Sequence, residues 1–278
     1  MTTLPRALTL PLAAAALAAS ILGAGGASAA TCKDPAGFDK FLDDIRKEAA
    51  AKGVSQRAIA ASLDGVTFDQ SIVNRDRGQR VFKQTFEEFS GRMISKYRLT
   101  KGASLLKQYA GPLARIETQY GVPGPVLVAL WGLETDFGAY AGNFATIRSV
   151  ASLAYDCRRT EMFQAELIDA MRIVDRGDLQ PSQMKGAWAG ELGQTQFMPS
   201  SYMKYAVDFD GDGRRDLMRS PVDVLASTAA YLAGYGWQRG QPWDEGTPNF
   251  QVIKQWNKAQ VYAKTIALYA DKLAATVQ

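Results

Sequence analysis

Two sets of carboxylates in this sequence are spaced for chemistry, and the chemistry differs. The first is a single residue, Glu134, which follows the run Val126-Leu127-Val128-Ala129-Leu130-Trp131-Gly132-Leu133. At helical spacing it lies over Leu130 and Trp131, with Leu127 two turns back. A carboxyl on such an apolar stripe loses hydration, and near a helix C-terminus it also meets the negative end of the dipole. Both effects favour the protonated form, as a general acid needs. The plainer alternative is a capping or ion-paired glutamate. The second set is Asp208-Phe209-Asp210-Gly211-Asp212-Gly213-Arg214. Carboxylates at positions 1, 3 and 5, glycine at 6 and a backbone carbonyl from position 7 match the opening of an EF-hand calcium loop. Arg219 stands where the closing glutamate would be. Asp223, from the next helix, is the expected replacement, its alternative role being an acidic first-turn residue.

These groups need elements to position them. Pro123-Gly124-Pro125 opens the helix that carries Glu134, and Gly138 is its expected stop. Between the two carboxylate sets lies Lys185-Gly186-Ala187-Trp188-Ala189-Gly190-Glu191-Leu192-Gly193-Gln194-Thr195-Gln196-Phe197-Met198-Pro199-Ser200-Ser201-Tyr202. Its three glycines permit close backbone approach to a ligand, and Gln194, Gln196 and Tyr202 offer groups suited to sugar hydroxyls and acetamides. Glutamines that merely satisfy loop backbone read the same way. Glu161, Glu166 and Asp169 read as solvated helix positions.

The first third is helical. Phe38, Phe41, Leu42 and Ile45 recur at three and four residues, and Ile59 and Leu63 mark a short second helix opened at Val54-Ser55. Phe82, Phe86 and Phe89 line one face of a longer helix expected to end near Gly91. Tyr97 sits in a polar segment that is a candidate cleft wall. Leu105 to Tyr120 keeps the helical rhythm up to Gly121. After the aspartate loop a helix opens at Ser220-Pro221, and the last helix reaches Leu273.

Composition narrows the function. The 278 residues include no histidine, which excludes Ser-His-Asp and Cys-His catalysis and the common histidine-ligated zinc sites. The net charge of +4 falls to +3 without Arg6, too mild for nucleic acid binding and compatible with an anionic wall polymer. Arg6, the apolar run Leu8 to Leu22 and the small residues Ala27-Ser28-Ala29-Ala30 make residues 1–30 an expected signal peptide. That run is short for a membrane span, so no stable membrane insertion is expected. A lipid anchor on Cys32 is disfavoured because Ala29-Ala30-Thr31 lacks the small residue that usually precedes one. An exported chain with two cysteines favours a Cys32–Cys157 disulfide, two buried thiols being the alternative.

Glycine-Leu-Glu134-Thr-Asp-Phe-Gly, then Gly-Gln-Thr-Gln196-Phe-Met-Pro-Ser-Ser-Tyr-Met-Lys-Tyr-Ala-Val-Asp, the aspartate loop and the late Trp256-Asn257 occur in one order. That combination resembles the B-type lytic murein transglycosylases, whose core is similar to goose-type lysozyme. The resemblance implies a mainly α fold: an N-terminal helical region (31–115) packed on a lysozyme-like catalytic core (116–278) with a calcium loop (208–223). It implies one catalytic carboxylate, Glu134, and substrate contacts from Gln196, Tyr231, Asn257 and Tyr97. Asp208, Asp210, Asp212, the Arg214 carbonyl and Asp223 would hold a structural calcium ion, with no organic cofactor. A serine that some members place before the glycine-rich turn is Ala187 here. The implied activity is non-hydrolytic cleavage of peptidoglycan glycan strands to 1,6-anhydro products by a periplasmic monomer. A hydrolytic muramidase would need a water-activating carboxylate, for which Asp136 and Glu191 are the candidates, and a non-catalytic, calcium-stabilised wall-binding protein would not need Glu134.

Overall fold

The structure, a computed structural model, describes residues 34–79 and 84–276. From Thr31 to Gln278 the chain forms one compact unit. The first part holds α1 (Phe38–Ala51), α2 (Gln56–Leu63), α3 (Gln70–Arg77), α4 (Phe86–Met93), α5 (Lys96–Gln108) and α6 (Ala110–Tyr120). Then come α7 (Gly124–Thr135), β1 (Phe144–Ala145), α8 (Thr146–Tyr155), α9 (Thr160–Arg176), β2 (Lys185–Gly186), α10 (Pro199–Tyr205), α11 (Pro221–Gly234), α12 (Pro248–Trp256) and α13 (Gln260–Ala274). Among the described residues the only sheet is the antiparallel pair β1–β2, with Phe144 opposite Gly186. Two-residue strands carry no alternation, so this pairing is not legible in the sequence.

The helices start and stop for local reasons. Ser55 caps α2 by accepting the Ala58 N–H at 3.2 Å. Thr85 and Glu88 form a reciprocal capping box at the start of α4. This box corrects the expected longer helix: α4 begins only at Phe86 and runs past Gly91 to Met93, while Phe82 lies outside the described residues. Ser220 caps α11, which opens with Pro221 at its first position.

The fold is built around α7. Rather than an amphipathic stripe, it is buried on every face, from Gly124 through Val126–Leu133 to Thr135. Helices α13, α5, α11 and α6 surround it, and each large aliphatic side chain removed from water there contributes about 1.5–3 kcal/mol. Close packing is built in at Gly132, where a Cβ would sit 2.8 Å from the Phe137 ring. The helix stops at Thr135, three residues before the expected glycine. Asp136 (φ 49°) and Phe137 (φ 61°) both take left-handed conformations that side chains disfavour. They are held there by the Asp136–Arg98 ion pair at 2.5 Å and by Thr135 Oγ1, which accepts the Gly138 N–H at 2.9 Å.

Glu166 corrects another expectation. It is buried on α9 rather than solvated, and its carboxylate accepts the Ser200 N–H at 2.9 Å and the Ser200 hydroxyl at 2.7 Å. It thereby satisfies an orphan donor in the first turn of α10, although burial still raises its pKa. Cys32 lies outside the described residues, and so do residues 1–30. No helix among the described residues is long and apolar enough to cross a membrane.

Candidate active site

Glu134 is the next-to-last residue of α7, so the buried helix fixes its backbone. The segment after β2 is clipped onto the same turn. Trp131 Nε1 donates to Gln194 Oε1 at 2.9 Å, and Thr135 Oγ1 donates to the Gln194 carbonyl at 2.5 Å. Gln194 Nε2 continues to the Met218 carbonyl at 3.1 Å. Gln194 is therefore a strut between α7 and the chain leading to α11, not a sugar contact. Tyr202 is likewise structural: it is fully buried, and its hydroxyl donates to the Arg215 carbonyl. The glycines serve protein packing. A Cβ on Gly193 would lie 2.8 Å from the Leu217 carbonyl oxygen, and one on Gly186 would overlap the Glu191 carbonyl.

Above this strut a cavity of about 380 Å³ opens, with Glu134, Glu191, Gln196, Tyr231, Trp256 and Asn257 among its lining residues. Gln196 adopts a left-handed backbone (φ 56°) next to the Leu192–Phe197 bridge. Its Nε2 donates to the Gly193 carbonyl at 2.8 Å and the Ala141 carbonyl at 3.0 Å. Both amide protons are thus used, and Oε1 is left as the acceptor for a ligand. Tyr231 stacks edge-on against Trp256 (4.9 Å between centroids), and its hydroxyl donates to the Gln255 carbonyl at 2.9 Å. Asn257 ends α12 and accepts the Ala259 N–H through Oδ1 at 3.0 Å. Ala187 also lines the wall and offers no hydroxyl to it.

Two donors converge on one oxygen of Glu134. Trp256 Nε1 donates to Oε1 at 2.7 Å, and the Tyr262 hydroxyl donates to the same atom. Oε2 has no hydrogen-bond partner among the described residues. A proton on Oε1 would oppose two donor hydrogens, so the neutral acid carries its proton on Oε2. Burial raises the Glu134 pKa. The two donors, which favour the carboxylate, oppose this, and the charge of Glu191 adds to it. Tyr262 is held far above its usual range by burial and by Glu134, and stays a neutral donor.

Tyr262 was invisible to sequence reasoning because its setting on α13 is that of a core aromatic; its spacing six residues after Trp256 is the only local signal. Tyr97 and Asp136 are not part of this cavity. They line a second one, of about 590 Å³, with Arg92, Arg98 and Tyr140. Asp136 is displaced because its left-handed backbone turns it toward α5, where Arg98 holds it. Tyr97 is displaced with it, as the exposed second residue of α5.

At the aspartate loop, oxygens of Asp208, Asp210 and Asp212 come within 4.8 Å of one another. Successive backbone N–H groups curl the loop around them: Gly211 and Gly213 donate to Asp208, Asp212 to Asp210, and Arg214 to Asp212. No basic side chain among the described residues pairs with these three, and a convergent all-oxygen set suits a hard cation of calcium's size. Asp223 stands behind the loop, fully buried. It accepts the N–H groups of Phe209 (2.8 Å), Asp210 (3.3 Å) and Asp216 (2.9 Å).

Residues 37–246 match the family model described as the transglycosylase SLT domain. Membrane-bound lytic murein transglycosylase B of Escherichia coli strain K12 is 37% identical over 150 residues, which is 54% of this chain and 41% of that protein. SltB3 from Pseudomonas aeruginosa, solved in complex with NAG-anhNAM-pentapeptide, is 32% identical over 85% of this chain and 79% of its own, with a TM-score of 0.80. The Escherichia coli lytic transglycosylase Slt35, solved in complex with calcium, is 25% identical over 88% of this chain and 95% of its own, with a TM-score of 0.75. The matched stretch thus spans less than half of the curated relative, whereas the solved relatives are covered over most of their length. With its mainly helical, lysozyme-like lytic transglycosylase fold, the chain belongs to the transglycosylase SLT domain family.

Proposed function

We propose that this protein is a peptidoglycan lytic transglycosylase that cleaves the MurNAc-β-1,4-GlcNAc bond without water and leaves 1,6-anhydro-MurNAc ends. One observation carries the reading: Glu134 presents an unpartnered Oε2 to the cavity while Trp256 and Tyr262 clamp Oε1. The protonated carboxyl gives its proton to the glycosidic oxygen as the C1–O bond breaks. The N-acetyl carbonyl of the same MurNAc supports the cation forming at C1, the part a second carboxylate takes in most glycosidases. The carboxylate then removes the O6 proton as O6 bonds to C1, which returns Glu134 to its starting form with no water consumed. Gln196, Tyr231 and Asn257 supply the sugar contacts, through the acceptor Oε1, the ring face and the amide N–H₂ respectively. The relative solved with an anhydro-muramyl peptide supports this substrate class.

A hydrolytic muramidase is the second reading, and it is favoured by Glu191 lining the same cavity. Mass analysis of digested peptidoglycan separates the two: anhydro ends support the proposal, and reducing ends overturn it.

Calcium binding belongs to the same proposal. Asp208, Asp210, Asp212 and the Arg214 carbonyl would hold a structural ion, a reading supported by their convergence and by the calcium complex of a relative. With both oxygens engaged by backbone N–H groups, Asp223 holds the loop's shape, and it closes the site as the proposed further ligand. Export to the periplasm, a Cys32–Cys157 disulfide, the monomeric state and the absence of membrane insertion complete the proposal on sequence grounds.

A further inference from the structure

We propose that Glu191 is a positioning residue for the reaction: its ionised carboxylate, fixed at the wall of the same cavity, holds Glu134 in the protonated form that the first step consumes. The inference rests on Glu134 being the acid.

The chain is fixed tightly at this point. Gly190 has a φ of 99° and packs against Val150, the Gly186 backbone abuts the Glu191 carbonyl, and Leu192 exchanges both backbone hydrogen bonds with Phe197. Backbone N–H groups of Glu191 and Ala189 ease the ionisation of the Glu191 carboxyl, yet among the described residues its Oε2 is buried without a hydrogen-bond partner. Leaving a buried acceptor unsatisfied costs stability, so the fold gains nothing from a glutamate here. Arg159, whose charge favours the ionised form, pairs with Asp76 through Nη2, lies over the Phe163 ring, and among the described residues forms no ion pair with Glu191.

Glu134 needs such a neighbour. From α12 and α13 it receives the Trp256 and Tyr262 donors, both of which stabilise its charged form. Tyr231 of α11 lines the cavity as a neutral phenol. Arg98 of α5 is committed to Asp136 and also faces Tyr262. Among the groups facing Glu134, Glu191 is therefore the one that opposes ionisation by charge. Burial raises the pKa of both carboxyls; at Glu191 backbone N–H groups and Arg159 ease ionisation against that pull. Glu134 is pushed up by burial and then by the Glu191 charge. Two carboxylates in one cavity thus divide the roles of charge and acid by environment. After the proton has left, the same repulsion makes Glu134 a stronger base for the O6 proton.

The test is the pH profile of kcat/KM on purified glycan strands for wild type, Glu191→Gln and Glu191→Asp. Because the first step needs protonated Glu134, removing the neighbouring charge should move the alkaline limb of Glu191→Gln to lower pH by about one unit, and Glu191→Asp should move it back. An unmoved limb, or the same limb for both variants, overturns the inference. A measurement that needs no folded Glu191 variant is infrared titration of the carboxyl stretch. The band lost in Glu134→Gln identifies the Glu134 carboxyl, apart from that of buried Glu166. A Glu134 band that ionises in the ordinary glutamate range would mean that Glu134 does not keep the proton, and the inference falls. Glu134→Gln that still turns over substrate would instead overturn the assignment of the acid.

Discussion

Glu134 and the Asp208–Asp212 loop both use carboxylates, and the protein treats them in opposite ways. At Glu134 the group is set on a fully buried helix, both its donors are side chains, and they converge on one oxygen. At the loop the carboxylates are largely exposed, their donors are mostly backbone N–H groups, with the Ser220 hydroxyl added at Asp210, and three of them crowd together. Burial without a cation favours a bound proton, whereas crowding of exposed carboxylates favours a bound cation. The number of acidic groups therefore says little. What surrounds them decides whether a carboxylate holds a proton or a metal.

The harshest way to break the contrast is to remove the proton carrier. Glu134→Gln keeps an oxygen for Trp256 and Tyr262 and cannot cycle a proton. Turnover on peptidoglycan should fall by at least about 10²–10⁴-fold, the worth of a positioned acid–base, with sugar binding retained by calorimetry. Activity above about one per cent would place the acid elsewhere.

The next largest effect is expected at the loop. An ion bound only by the folded state adds about 2.7 kcal/mol at a hundredfold excess over its dissociation constant. Chelation should lower the melting temperature, and calcium should restore it better than magnesium, which gives up its waters reluctantly. Asp212→Ala should abolish that response. Asp223→Asn sharpens the test: as a backbone staple it lowers the melting temperature equally with and without calcium, and as a ligand it weakens the calcium response. An unchanged melting temperature and calcium response in Asp212→Ala would reduce the loop to an acidic turn.

A smaller effect separates clamp from acid. Tyr262→Phe removes one donor to Oε1, so kcat/KM should fall about five- to tenfold, the value of about one hydrogen bond. The lost donor favoured the carboxylate, so Glu134 holds its proton more strongly and the alkaline limb should move up in pH. A limb that moves down would mean that Tyr262 does not act through Glu134.

How much of this was legible in the sequence follows from range. Apart from the bounds of α4, the helices of the first third, the Glu134 helix and the aspartate loop rest on local periodicity, caps and i, i+2 spacing, and those survive folding. The stop of α7 was misread because glycine is the usual left-handed residue, while here an ion pair from a residue 38 positions earlier holds Asp136 in that state. Gln194, Gln196 and Tyr202 looked alike in sequence. Only the fold shows that Gln194 braces Trp131, that Tyr202 ties down Arg215, and that Gln196 alone faces the cavity. Glu191 was legible only as a water-activating candidate, and Tyr262 was out of reach: its importance lies in a contact with a residue 128 positions away, which no local pattern encodes.

The smallest expected effect concerns what the acid costs the fold. Glu134 has a raised pKa in the folded state, so folding favours its protonated form. The sign follows from linkage: its contribution to stability is intact below the unfolded-state value near the usual glutamate range and is lost as pH rises through the folded value. At neutral pH the wild type therefore carries a strain that a neutral isostere lacks. Glu134→Gln should melt higher than wild type at pH 7, by about 2–4 °C for each kcal/mol relieved in a chain of this size. Below about pH 4, where the glutamate is neutral in both states, the two curves should converge. Asp212→Ala should shift the melting temperature the opposite way when calcium is present, because it removes a ligand. Scanning calorimetry of both variants across pH measures the two signs in one experiment, and a Glu134→Gln protein that melts below wild type at pH 7 would mean that the donors from Trp256 and Tyr262 outweigh burial.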